Sequence, residues 1–226
     1  MKKTFDKKNT NDPSIKIKDK IVELSLPDIN FDGWSKEVIL TSLKKSKLKK
    51  IDFNLFFPNG IVDVIIHFIE MSDRKMIEKF LSQKPSPKRT PDKIKSLIMS
   101  RFDYLLPYKE AVRHSVAILA LPKNAHLAAN SLYKTVDEIW RAAGDKATDF
   151  SFYTKRGTLA GVYSSTLIFW IGNNDKTIDS IENFLDRQLK QIAMFGKFSK
   201  PFKNRFNSLL NIFQNMRYSN TDSQQI

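Results

Sequence analysis

Residues 142–172 read AAGDKATDFSFYTKRGTLAGVYSSTLIFWIG, and the reading of this run decides the fold class. Gly144 can take the left-handed backbone that closes one helix, and Thr148 or Asp149 can accept hydrogen bonds from the unpaired amides that open the next. Phe152, Leu159, Val162, Tyr163, Leu167 and Trp170 then recur at helical spacings, which predicts a long amphipathic helix. Gly157, Gly161, Ser164 and Ser165 leave one flank almost without side chain, so a neighbouring helix can approach closely or a guest can find room.

Outward from this run, helical signals repeat. Ile15, Ile17, Ile21, Val22 and Leu24 suit a first helix from Ser14, halted by Pro27. Ser35 caps a second to about Lys45, and a short third lies between Ile51 and Phe57 before a Pro58-Asn59-Gly60 turn. A fourth, from Gly60 to Leu81, is apolar around most of its circumference and is expected to be buried centrally. After the stiff polar linker Lys84–Arg89, Thr90 is placed to cap a fifth helix with Pro91 at its first position. Pro107 and Pro122 separate helices at about Tyr108–Leu121 and Asn124–Ala143, and a last bundle helix spans Thr177–Phe195. No turn dipeptide sits between alternating apolar runs, so the chain is expected to be all-α. The expected organisation is a disordered tail over 1–13, a helix-turn-helix-like lobe over 14–83, a helical bundle over 90–198 and an amphipathic helix over 199–218.

Composition narrows the function classes. A chain of 226 residues with 41% hydrophobic and 12% aromatic content can build a substantial core. No apolar run approaches the roughly eighteen residues of a spanning helix, and the absence of cysteine removes disulfides, thiol catalysis and thiolate metal sites. The start, MKKTFDKKNTND, lacks an apolar core and carries Asp6 and Asp12, so it reads neither as a secretory signal nor as an Arg-rich transit peptide. The net charge of +14 favours a polyanionic partner, either nucleic acid or an anionic bilayer.

Charge placement favours the bilayer. Lys44, Lys45, Lys47, Lys49 and Lys50 flank the third helix, yet its residues Asp52, Phe53, Asn54, Leu55 and Phe56 include no Arg to read guanine. Nucleic acid is therefore not the expected partner. Between Arg187 and Arg217 stand seven basic residues and no acidic one. There Phe202, Phe206, Leu209, Leu210, Phe213 and Met216 share one helical face, and Lys200, Lys203 and Arg205 flank it, the pattern of a helix lying on an anionic membrane surface. His67 and Glu70 share the spacing of a helical metal motif but lack a second Glu-x-x-His. They are read as core hydrogen-bonding groups, and no metal, cofactor or catalytic residue is expected.

The run Asp145–Arg156, DKATDFSFYTKR, resembles the signature of the Coq-nine family of ubiquinone-biosynthesis proteins, and the likeness extends through Leu159–Thr166 and Phe184-Leu185-Asp186-Arg187. Phe31–Ser35 and Leu55–Gly60 are similar to that family's amino-terminal half, so the resemblance covers about Leu24 to Met216. It implies a TetR-like helical bundle, with an amino-terminal helix-turn-helix-like lobe, a carboxy-terminal lipid pocket and a terminal amphipathic helix. It further implies a non-enzymatic accessory protein that binds an isoprenoid quinone or phospholipid and presents a quinone intermediate to the di-iron demethoxyubiquinone hydroxylase. The expected setting is the cytoplasm, peripheral to the inner membrane in a bacterium or on the matrix side in a mitochondrion, and the expected state is a homodimer. The alternative is a TetR-like DNA-binding regulator with a lipid-sensing pocket.

On that resemblance the expected lipid-binding residues are Val116, Leu119, Leu132, Val136 and Trp140, then Leu159, Tyr163, Leu167, Trp170 and Phe184. Asp149, Phe152, Tyr153 and Arg156 are the expected partner patch, a carboxylate, an aromatic pair and a guanidinium. The family commonly has Trp where this chain has Phe152, which keeps the apolar face and loses the indole donor. Lys200, Phe202, Lys203, Phe206, Leu209, Leu210 and Phe213 are the expected membrane contacts.

Overall fold

A computed structural model describes residues 12–45, 53–148, 150–173 and 177–198, and these are helical with no strand. Helix α1 (Pro13–Asp32) opens where Asp12 accepts a hydrogen bond from the Ser14 amide at 2.9 Å and buries Ile21, Val22, Leu26 and Ile29. It runs through Pro27, contrary to the expected stop. Proline removes the bond to the Glu23 carbonyl, but Glu23 and Pro27 both face solvent, which can take that carbonyl, while Leu26 and Ile29 anchor the last turn in the core. The helix ends instead at Gly33, whose φ of 79° only glycine adopts freely.

Trp34 donates its indole N–H to the Ala111 carbonyl at 2.8 Å, tying the end of α1 to a helix far along the chain. Ser35 caps α2 (Lys36–Lys45) by accepting from the Val38 amide at 3.1 Å. Helix α3 (Phe53–Phe56) leads through a turn to Gly60 at φ 70° and into α4 (Ile61–Ser82). This central helix packs against α1 on one side and against α5 (Thr90–Leu105), α6 (Lys109–Leu119) and α7 (Ala125–Ala142) on others. At the head of α5 the cap position is Arg89, and Thr90 and Pro91 are the first two helical residues, one position earlier than the cap reading placed them.

The linker at residues 84–89 joins two helices that pack on one another: Gln83 accepts from Ser96 at 2.5 Å and donates to Ser100 at 3.2 Å. Gly144 turns the chain at φ 92° into α8 (Phe150–Gly172), and α9 (Ile178–Phe198) follows. The first compact unit runs to Asn183 and the second begins at Phe184, where Arg187 stacks over the Phe184 ring at 5.6 Å. His67 is buried with its Nε2 2.7 Å from Asp19, and Glu70 pairs instead with Lys134 at 2.9 Å, so the two share no ligand geometry. Among the described residues no helix is long and apolar enough to cross a membrane.

Candidate functional site

Helices α4 to α8 enclose a cavity of about 260 Å³. Its deeper wall includes Phe68, Leu105, Val112 and Leu119, each under a tenth exposed, and its partly exposed edge is Ile69, Val116, Ala120, Ala128, Leu132 and Leu167 with one polar side chain, Ser164. Of the residues expected to hold lipid, Val116, Leu119, Leu132, Tyr163 and Leu167 line this space. Val136 and Leu159 are buried in the helix packing beside it. Trp140 donates to the Lys155 carbonyl at 3.1 Å, and Trp170 lies edge-on to Phe102 with ring centroids 5.4 Å apart. Phe184 belongs to the second unit.

Sequence reasoning missed the polar side of the cavity. Arg101 and Asp73, 3% and 6% exposed, pair at 2.5 Å; Arg101 Nε donates to the Tyr163 hydroxyl at 2.7 Å, and Thr135 donates to the second Asp73 oxygen at 3.0 Å. A usable signal was present. Asp73 stands four residues after Ile69 and three before Met76, and Arg101 four after Leu97 and four before Leu105, so opposite charges occupy the apolar faces of consecutive helices.

Burial pushes the Asp73 carboxyl up to about 6, against the pull of Arg101 and of the Thr135 hydroxyl. On Arg101 burial opposes the charge, but Asp73 and Tyr163 outweigh it and hold the guanidinium pKa above its ordinary value. A carboxyl that binds its proton more tightly when folded contributes stability fully present below its unfolded pKa and lost as pH rises through about 6. His67 acts with the opposite sign: burial lowers its pKa despite Asp19, so its contribution is lost as pH falls. Asp73 is therefore isolated by comparison with a variant. The urea midpoint of the wild-type chain should fall relative to that of Asp73→Asn as pH is raised from about 4 to about 7, and parallel profiles would contradict this assignment.

A second charged cluster builds the corner between α7 and α8. Arg156, 4% exposed, reaches Asp137 at 2.6 Å and Asp145 at 3.3 Å, donates to the Phe152 carbonyl at 3.2 Å and lies 3.4 Å from the centre of the Phe152 ring. Lys155 joins Asp145 at 2.7 Å and stands over Trp140 at 5.4 Å, while Arg141 takes the other Asp137 oxygen at 2.6 Å. Burial would raise the Asp145 pKa, but Lys155, the Ala147 amide and Arg156 together hold it below the usual carboxylate value. Of the expected partner patch, then, Arg156 faces inward, Phe152 is half-buried beneath it, and Tyr153 is 69% exposed. Asp149 lies outside the described residues, as do Lys47, Lys49 and Lys50 and all seven expected membrane contacts from Lys200 to Phe213.

A profile of the COQ9 family matches residues 125–196, from the start of α7 to near the end of α9. The chain is 26% identical over 201 residues to the ubiquinone biosynthesis protein COQ9, mitochondrial, of Rattus norvegicus, a match covering 86% of this chain and 64% of the rat protein. The chain is similar to COQ9 proteins along most of its length. The human COQ9 protein is 24% identical over 201 residues, covering 86% of this chain and 63% of its own length, and a probable COQ9 protein of Dictyostelium discoideum is 26% identical over 206 residues, covering 87% and 66%. This chain thus spans a little under two thirds of the length of these COQ9 proteins. Its fold is TetR-like. The crystal structure of a TetR transcriptional regulator from Nitrosomonas europaea superposes with a TM-score of 0.62 at 18% identity, covering 79% of this chain and 99% of the regulator. The segment matched by the COQ9 profile supplies one wall of the cavity, through Ala128, Ser131, Leu132, Tyr163, Ser164 and Leu167.

Proposed function

We propose that this chain is a non-enzymatic, lipid-binding accessory protein of ubiquinone biosynthesis, which takes an isoprenoid quinone intermediate from a membrane surface and presents it to the demethoxyubiquinone hydroxylase. The observation that carries the reading is the apolar cavity of about 260 Å³, one wall of which is built by α7 and α8 from the segment that matches the family profile. Binding there gains roughly 25 cal/mol for each Å² of apolar surface removed from water. The volume lies below the usual span of about 300–1,000 Å³ for ligand pockets, so the cavity holds one end of such a lipid and leaves the remainder outside. The buried titratable groups beside it are committed to one another, Asp73 to Arg101 and Thr135, which suits holding a guest rather than transforming it.

Docking of the hydroxylase is assigned to the α7–α8 corner. Tyr153 presents an exposed ring 5.2 Å from Phe152, and Arg156 holds Phe152 from behind. Membrane contact is assigned to the basic, phenylalanine-rich segment from Lys200 to Phe213. The full chain purified from a quinone-producing host should carry a polyprenylated ring compound, detected by mass spectrometry of its extracted lipid. Extracts that hold only phospholipid, or no lipid, would overturn the quinone assignment.

A further inference from the structure

Helix α6, the turn at Pro122–Asn124 and α7 form a hairpin that supplies most of the apolar edge of the cavity, Val116 and Ala120 from one arm and Ala128 and Leu132 from the other. Its outer surface is apolar as well. Leu121 at the tip and Tyr133 on α7 are 46% and 45% exposed, and Ala125 and Ala129, also exposed, share the α7 face of Tyr133 at spacings of four. The tip is held in place: buried Asn124 donates from its side chain to the Ile118 carbonyl and from its amide to the Leu121 carbonyl, both at 2.8 Å. Charge is as unevenly placed. Although the chain has 24 acidic residues in 226, none falls between Glu110 and Asp137, a run that holds Arg113, Lys123 and Lys134. Arg113 pairs with Glu110 at 3.2 Å and Lys134 with Glu70 at 2.9 Å, so the charge at the tip itself is the exposed Lys123. Alanines are depleted from protein interfaces and offer a protein partner little to grip. A smooth apolar face without carboxylates, carrying an amphipathic Tyr and a Lys whose stem can lie along it, suits the headgroup layer of an anionic bilayer.

We propose that the α6–α7 hairpin is a membrane-docking face: Leu121 and Tyr133 enter the headgroup layer of an anionic bilayer, Lys123 meets lipid phosphate, and the apolar edge of the cavity is turned toward lipid instead of water. This assignment rests on the membrane reading above and adds to it a second face, separate in the chain from the Lys200–Phe213 segment, together with the orientation of the cavity. With its edge against the bilayer, the cavity exchanges hydrocarbon with the acyl layer without exposing that hydrocarbon to water.

The chain has no cysteine, so a single one can carry a fluorophore that brightens on leaving water. Leu121→Cys places it at the tip, and Leu81→Cys, at a position 66% exposed near the end of α4, is the control. Each labelled full-length chain is mixed with vesicles of phosphatidylcholine and phosphatidylglycerol. The label at position 121 should brighten at least about threefold while the label at position 81 changes little. In flotation with the same vesicles, the unlabelled double variant Leu121→Asp, Lys123→Glu should partition about tenfold more weakly than the wild type, with a difference that narrows at high salt. A silent label at position 121 on a chain that floats, equal brightening at both positions, or a double variant that partitions as the wild type does would overturn the hairpin assignment and leave membrane contact to the Lys200–Phe213 segment. Brightening that requires purified hydroxylase and not vesicles would give the face to a protein partner and overturn the assignment too. A wild-type chain that does not float would overturn both this assignment and the membrane reading.

Discussion

Replacing Arg101 with Met should lower the unfolding free energy by about 3–5 kcal/mol, the range for stripping a buried carboxylate of its cation. Asp73 has little recourse. It is 6% exposed, its Thr135 partner offers one neutral hydroxyl, and no other described cation pairs with it. Protonation is the one relief open to it, so the penalty should be smaller at acid pH. The double variant Arg101→Met, Asp73→Leu removes both charges. It should recover most of the loss, because the attraction within a buried pair does little more than offset the desolvation of its members. Urea unfolding of the wild type, both single variants and the double variant closes the cycle. Additive losses across the cycle would show that the two residues act separately and that the short contact between them contributes no coupling.

Much of the fold was legible because local chemistry and tertiary packing agree. Gly144 and Gly60 stand at positive φ where the turns were read, Ser35 caps α2, and α4 is the central helix that its all-round apolar pattern requires. Pro27 was misread because a helix can run past a proline where packing on either side offsets the lost bond and the freed carbonyl meets solvent, and which face Glu23 occupies depends on the rest of the molecule. The candidate site was half legible for a related reason. Periodicity finds residues that turn inward, so it selected Val136, Leu159 and Trp170 together with Leu132, Tyr163 and Leu167, and it cannot distinguish a side chain packed against a neighbour from one facing a cavity. Nor does apolar periodicity weigh Asp73 and Arg101, whose inward placement becomes sensible only once α4 and α5 are seen side by side.

The signature at Asp145–Arg156 yields the second large effect. Arg156→Ala should destabilise the chain by about 2–3 kcal/mol, less than loss of Arg101, because Asp137 keeps Arg141 and Asp145 keeps Lys155. Arg156→Lys should lie between, since an ammonium cannot span both carboxylates and cover the Phe152 ring as the planar guanidinium does. The Phe152 ring loses its cover in either variant, so affinity for the hydroxylase should fall along with stability. Tyr153→Ala separates the two effects: at 69% exposure its loss should change stability by no more than about 0.5 kcal/mol while weakening capture of the purified hydroxylase. Urea unfolding and titration calorimetry on the three variants read both quantities. If Arg156→Ala unfolds at the wild-type midpoint, the carboxylates of Asp137 and Asp145 are satisfied without it, and the charged half of the signature is then free to serve a partner instead of the corner.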